Sequence, residues 1–80
     1  MGIAKSEQEL AERLSRYLKA ELKRANVTYE ELAERLKKHG HKDETRDGIA
    51  AKLKRGTFPA TFFVASLAAL ELPGVSLEDV

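Results

Sequence analysis

Thr28-Tyr29-Glu30-Glu31-Leu32-Ala33-Glu34-Arg35-Leu36 is the stretch that decides the fold. A hydroxyl residue followed three positions later by a carboxylate satisfies the free backbone N–H groups of a helix start from both sides. Val27 and Leu32 are placed to staple across that start. Leu32, Ala33 and Leu36 share one side at helical spacing. Glu30 and Glu31 open the segment while Lys37 and Lys38 close it, as the helix dipole favours. The pattern predicts an amphipathic helix over about 28–39, stopped near Gly40.

Toward the N-terminus, Leu10, Leu14, Tyr17 (or Leu18) and Leu22 recur at the same period, and Ala25 extends the stripe. Ser6-Glu7-Gln8-Glu9 reads as a second capping box and Asn26 as a stop, giving a long helix over about 7–25. Its other face carries Arg13, Arg16, Lys19, Lys23 and Arg24, alternating with Glu12 and Glu21 in what should be exposed ion pairs.

Toward the C-terminus, His39 to Glu44 form a polar connector, and Asp43 or Thr45 caps a third helix over about 45–55. That helix has a thin apolar edge of Ile49 and Leu53 with Ala50 beside them, and Gly56 stops it after Lys54 and Arg55. Gly48 inside it costs up to about 1 kcal/mol against alanine, which points to close approach of another group or to weak selection. Pro59 suits the first turn of a fourth helix over 59–71. No charge occurs from Ala60 to Leu70, and Phe62, Phe63, Val64, Leu67 and Leu70 cover more than one face. Such a helix is central to the core or shared with a partner chain. Two adjacent phenylalanines cannot share one inward direction, so one of Phe58, Phe62 and Phe63 is a candidate for a dimer contact. Pro73-Gly74 breaks the helix, and Ser76-Leu77-Glu78-Asp79 resembles the cap of a short fifth one at 76–80. With no strand pattern, repeat or low-complexity tract, residues 1–80 read as a single all-α domain of four to five short helices.

Composition narrows the function. Eighty residues support one small core, and the absence of cysteine rules out disulfides and thiolate metal sites while fitting a reducing cytoplasm. No apolar run reaches the roughly 18–20 residues of a membrane span, and no secretory leader pattern opens the chain. The net charge of +1 hides an uneven distribution. Residues 37–56 hold seven cations (Lys37, Lys38, Lys42, Arg46, Lys52, Lys54, Arg55) against three acids (Asp43, Glu44, Asp47), and residues 57–80 hold only Glu71, Glu78 and Asp79. A local basic field of this kind points to a polyanion. The plain alternative is a solvated surface. His39-x-His41 beside Asp43 and Glu44 has metal-like composition, but the spacing lacks further ligands, so no metal or other cofactor is expected. No nucleophile stands with a base and no glycine-rich phosphate loop occurs, so the chain does not read as an enzyme. So small a helical domain also leaves little room for a pocket of about 300 Å³ or a small-molecule substrate.

Thr28-x-x-Glu31-Leu32-Ala33-x-x-Leu36, then Ala50-x-x-Leu53-x-Arg55-Gly56, then Pro59 with an apolar helix ending Leu67-Ala68-Ala69-Leu70, and finally Val75-Ser76-Leu77-Glu78, together resemble the Cro/repressor-type (XRE) helix-turn-helix. The resemblance covers residues 16–80 and is nearest to small bacterial domains with a lengthened turn. It implies a lambda-repressor-like bundle in which the second helix crosses the DNA backbone and the third lies in the major groove. Carried over residue by residue, Thr28 matches a helix cap that touches phosphate. Arg46, Asp47, Gly48 and Lys52 match base or backbone contacts, and Arg55 matches a basic position near the end of the third helix. The turn from Lys38 to Thr45 is about seven residues longer than the family's tight one. With Ile49 and Leu53 inward, Asp47, Gly48, Ala51, Lys54 and Arg55 point outward. Arg55 is the candidate for guanine and Asp47 for a cytosine amino group. The expectation is a DNA-binding transcriptional regulator with Thr28, Lys37, Lys38, Lys42, Arg46, Asp47, Lys52, Lys54 and Arg55 at the interface. It would be a cytoplasmic homodimer joined through the apolar fourth helix and residues 72–80. The competing expectation is a protein-interaction module, adaptor-like or antitoxin-like, using exposed parts of 58–72.

Overall fold

The computed structural model describes residues 4–80. Four α-helices form the fold: α1 (Glu7–Ala25), α2 (Tyr29–Leu36), α3 (Arg46–Arg55) and α4 (Ala60–Ala69). Short 3-10 turns at Lys37–His39 and Leu77–Asp79 complete it. The fold is all-α, with no strand among the described residues.

The helix starts follow their capping chemistry. The hydroxyls of Ser6, Thr28 and Thr45 accept from the backbone N–H of Glu9, Glu31 and Gly48 at 3.1, 3.1 and 3.0 Å. Thr45, and not Asp43, therefore caps α3. The reciprocal half of each expected capping box goes elsewhere. Glu9 accepts from the Lys5 N–H and pairs with Arg13, and Glu31 pairs with Arg35 at 2.6 Å. Asn26 and Gly56 end α1 and α3 in the left-handed region, with φ of 58° and 78°. A Cβ on Gly56 would lie 3.0 Å from the Ala11 carbonyl oxygen, so glycine also permits α1 and α3 to meet there.

The predicted second helix is shorter than 28–39. α2 closes at Leu36 and the chain tightens into the 3-10 turn before Gly40, where the His41 N–H returns to the Leu36 carbonyl at 3.1 Å. Pro59 precedes α4 as its cap, and α4 ends at Ala69. The expected fifth helix is one 3-10 turn.

Leu18, Leu22, Val27, Leu32, Ala33, Leu36, Ile49, Leu53, Phe62, Ala65, Ala69 and Leu70 make one continuous core. α2 lies at its centre, packed on α3 and α4, while α1 packs on α3. The inward line of α1 differs from the expected one. Leu18 and Leu22 are buried, Leu10 and Leu14 are half-buried, Ala25 is exposed, and Ser15 and Glu21 are buried. Glu21 pairs with Arg24 at 3.1 Å, so it is not the exposed partner its spacing suggested. α4 is central to this core. Phe63, packed against Phe58 with centroids 6.2 Å apart and facing Tyr17 at 6.5 Å, is half-buried against the core. Among the described residues the exposed large hydrophobics are Val64 and Leu77.

Two polar ties fix the helices relative to one another. The buried Ser15 hydroxyl donates to the Leu53 carbonyl in the last turn of α3, joining α1 to α3. The Arg35 guanidinium donates to the Ala69 carbonyl at 3.1 Å, joining α2 to the C-terminal end of α4.

Candidate nucleic-acid interface

The long turn between α2 and α3 is a built structure. His41 sets its ring edge-on to Phe62, with centroids 6.4 Å apart. The Glu44 side chain turns inward, retaining only 7% exposure. One of its oxygens accepts from the Thr45 N–H at 3.2 Å and the other receives the Lys52 ammonium at 2.9 Å. Lys52 also lies 5.3 Å from the Phe62 ring centroid, its charge over the aromatic face. Gly48 completes this corner, because a Cβ there would stand 2.6 Å from the Glu44 carboxylate. The helix-interior glycine is thus explained by close approach, and the turn is clamped to α3 by a carboxylate.

Lys52 stands apart from the other expected contact residues, because its ammonium pairs with Glu44 and lies over the Phe62 ring. Spacing shows only that Lys52 adjoins the apolar edge of α3. It cannot show that a carboxylate eight residues away folds back to meet it.

The other expected cations divide by partner. Lys37 pairs with Glu34 at 2.8 Å, and Arg46 with its neighbour Asp47 at 3.3 Å. Both pairs are largely exposed and worth little, so an arriving anion can take over either cation. Among the described residues, Lys38, Lys42 and Lys54 are exposed and make no ion pair, and Arg55 donates only to the Thr57 carbonyl at 3.3 Å. Thr28 is exposed, and its hydroxyl proton is left to donate while its oxygen caps α2.

Asp47, Ala51, Lys54 and Arg55 form an exposed stripe along α3, as the spacing predicts, with Gly48 half-buried beside them. The small, exposed Ala51 keeps the middle of the stripe low, while the Glu44 carboxylate covers Gly48. A groove wall can approach the helix at Ala51, with the two cations at one end and Arg46 and Asp47 at the other.

Open concavities are larger than so short a chain suggested. One of about 570 Å³ is lined by Arg13, Arg16, Tyr17, Glu21, Arg24 and Asp79 among others. Burial, reinforced by Glu21 and Asp79 and opposed by Arg24, raises the Tyr17 phenol above its usual value of 10.0. A second, apolar groove of about 490 Å³ runs over α4 past His39, His41, Thr61, Val64 and Ala68. A third, of about 250 Å³, lies between α1 and the end of α3, where Arg16 and Lys19 join Lys54 and Arg55. From sequence, Arg16 and Lys19 belong to a stripe of exposed ion pairs, part of which is open to bordering the basic surface. Their proximity to α3 follows from how α1 crosses it, which periodicity within one helix does not reveal. Among the described residues no group of three or more histidine, aspartate or glutamate side chains is arranged to hold a metal. No helix among them is long and apolar enough to cross a membrane.

Residues 10–75 match a family model described as Domain of unknown function (DUF6471), and the chain belongs to that family. The matched span begins within α1 and runs through the long turn and α4. No curated protein and no solved structure shows significant similarity to the chain.

Proposed function

We propose that this DUF6471 member is a double-stranded-DNA-binding domain acting as a transcriptional regulator, with α3 entering the major groove. The observation that carries the reading is the α3 stripe. It is exposed at Asp47, Ala51, Lys54 and Arg55, low at Ala51, and ends in Lys54 and Arg55, which have no acidic partner among the described residues. Affinity comes from these cations with Lys38 and Lys42 displacing counterions, supplemented by Lys37 and Arg46 once they leave their exposed partners. Ala51 suits a thymine methyl group and Asp47 a cytosine amino group, while Arg55 is committed to the DNA backbone. Lys52 contributes by holding the turn. Reversing Lys54 and Arg55 to glutamate tests this by fluorescence anisotropy on a duplex. Binding should fall by at least a hundredfold with the melting temperature unchanged, and retention of affinity would refute the reading.

A second reading is favoured by one observation, the apolar groove over α4 with Val64 62% exposed. It is a protein-docking face, for a second copy of the chain or for another protein. As a homodimer joined through this face and the segment around Leu77, the domain would read half-sites about 34 Å apart. Val64→Glu separates the cases by sedimentation at several concentrations. The dimer predicts a shift to monomer, and a chain that is monomeric throughout refutes it.

A further inference from the structure

We infer that the groove between α1 and the C-terminal end of α3 holds a phosphodiester backbone, gripped from α1 by Arg16 and Lys19 and from α3 by Lys54 and Arg55. The inference rests on the DNA-binding reading and deepens it by moving the main phosphate track. The sequence assigned phosphates to the continuous segment 37–56, whereas the fold brings together cations from two helices far apart in the chain.

Four cations line this groove against one carboxylate, Glu12. Among the described residues, none of the side chains of Arg16, Lys19 and Lys54 has an ion pair or hydrogen bond, and that of Arg55 donates only to a backbone carbonyl. Elsewhere on this surface arginines are paired: Arg24 with Glu21, Arg35 with Glu31 and Arg46 with Asp47. Like charges gathered around one groove repel, and a bound anion removes that cost.

The cleft walls are also fixed. The Ser15 hydroxyl holds the Leu53 carbonyl, and Gly56 packs on the Ala11 backbone, so α1 and α3 cannot slide apart. The backbone positions that carry the cations are therefore preset, and only the side chains must order to meet a ligand. The C-terminal end of α3 contributes partial negative charge from its free carbonyls, which offers an anion nothing. The side chains alone must supply the attraction, and guanidinium groups supply it in bidentate form. An extended polyanion fits the open cleft better than a single phosphate. In this arrangement the DNA backbone runs along α1 past the end of α3.

The test is anisotropy of a labelled random-sequence duplex at about 50, 100 and 200 mM salt, with each variant's melting curve recorded alongside. Arg16→Ala with Lys19→Ala should lower the log–log salt slope by about 1.8 and weaken binding at 100 mM by tenfold or more. Lys23→Ala, on an exposed part of α1 outside the groove, should leave the slope unchanged. Exchanging the two cations, Arg16→Lys with Lys19→Arg, should restore the slope, and Glu12→Gln should tighten binding. A double alanine variant that keeps the wild-type slope overturns the groove assignment while leaving the DNA-binding reading intact. Failure of the wild-type chain to bind at 50 mM overturns both.

Discussion

Replacing Lys52 by methionine separates a structural lysine from a binding one. The Lys52 ammonium lies 2.9 Å from Glu44, and the two side chains keep 23% and 7% exposure. Methionine retains the apolar stem over Phe62 but leaves the Glu44 carboxylate turned inward with only the Thr45 N–H, 3.2 Å away. Removing one partner of a fully buried pair costs about 3–5 kcal/mol, and an exposed pair contributes about 0.2–1 kcal/mol. This pair lies between, so a loss of about 2 kcal/mol is expected. For a domain of this size that lowers the melting temperature by about 8–16 °C. The assay is circular-dichroism melting of Lys52→Met, Glu44→Gln and the double variant. The double should lose less than the sum of the singles, by about 1–2 kcal/mol, because Glu44→Gln removes the orphaned charge. The salt slope on DNA should stay at the wild-type value. A variant within about 0.5 kcal/mol of wild type that lost one phosphate contact's worth of slope, about 0.9, would show that Lys52 faces the ligand and refute the clamp.

Gly56→Ala should cost about 2–3 kcal/mol in a urea melt, from its φ of 78° together with a Cβ 3.0 Å from the Ala11 carbonyl; a loss below about 1 kcal/mol would contradict that contact. Ser66 is fully buried with no partner for its hydroxyl among the described residues, so Ser66→Ala should stabilise by about 1 kcal/mol, and destabilisation would mean the hydroxyl is bonded. Tyr17, followed by absorbance near 295 nm, should deprotonate above 10.0. Because the folded state holds that proton more tightly than the unfolded chain, the contribution to stability is present below the unfolded pKa and disappears as pH rises through the folded one. Tyr17→Phe should remove this part of the alkaline loss, and an unchanged alkaline profile would contradict it.

Much of the fold is legible because its determinants are local. Ser6, Thr28 and Thr45 each cap the helix that follows, and Asn26 and Gly56 each end one, using atoms within a turn of themselves. The core-facing residues of α2 and α3 follow from spacing alone. What periodicity misses depends on contacts across the chain. Ser15 is buried because Leu53 offers a carbonyl, and Arg35 is held by Glu31 and Ala69. Ala25 lies on the apolar stripe yet is exposed. The same limit applies at the interface. The outward residues of α3 are readable from its own apolar edge, whereas the diversion of Lys52 to Glu44 and the meeting of Arg16 and Lys19 with Lys54 and Arg55 require the tertiary arrangement. Gly48 falls between these cases, since the sequence flags its cost and the Glu44 carboxylate supplies the cause.

The most direct test of the account is a titration of the isotopically labelled chain with a short duplex, following every backbone amide by NMR. The account predicts shifts concentrated on residues 46–57 and on Ser15 to Lys19, with Val64 and its neighbours on α4 unmoved. Shifts centred on residues 60–68, or none at low salt, would contradict DNA binding through α3.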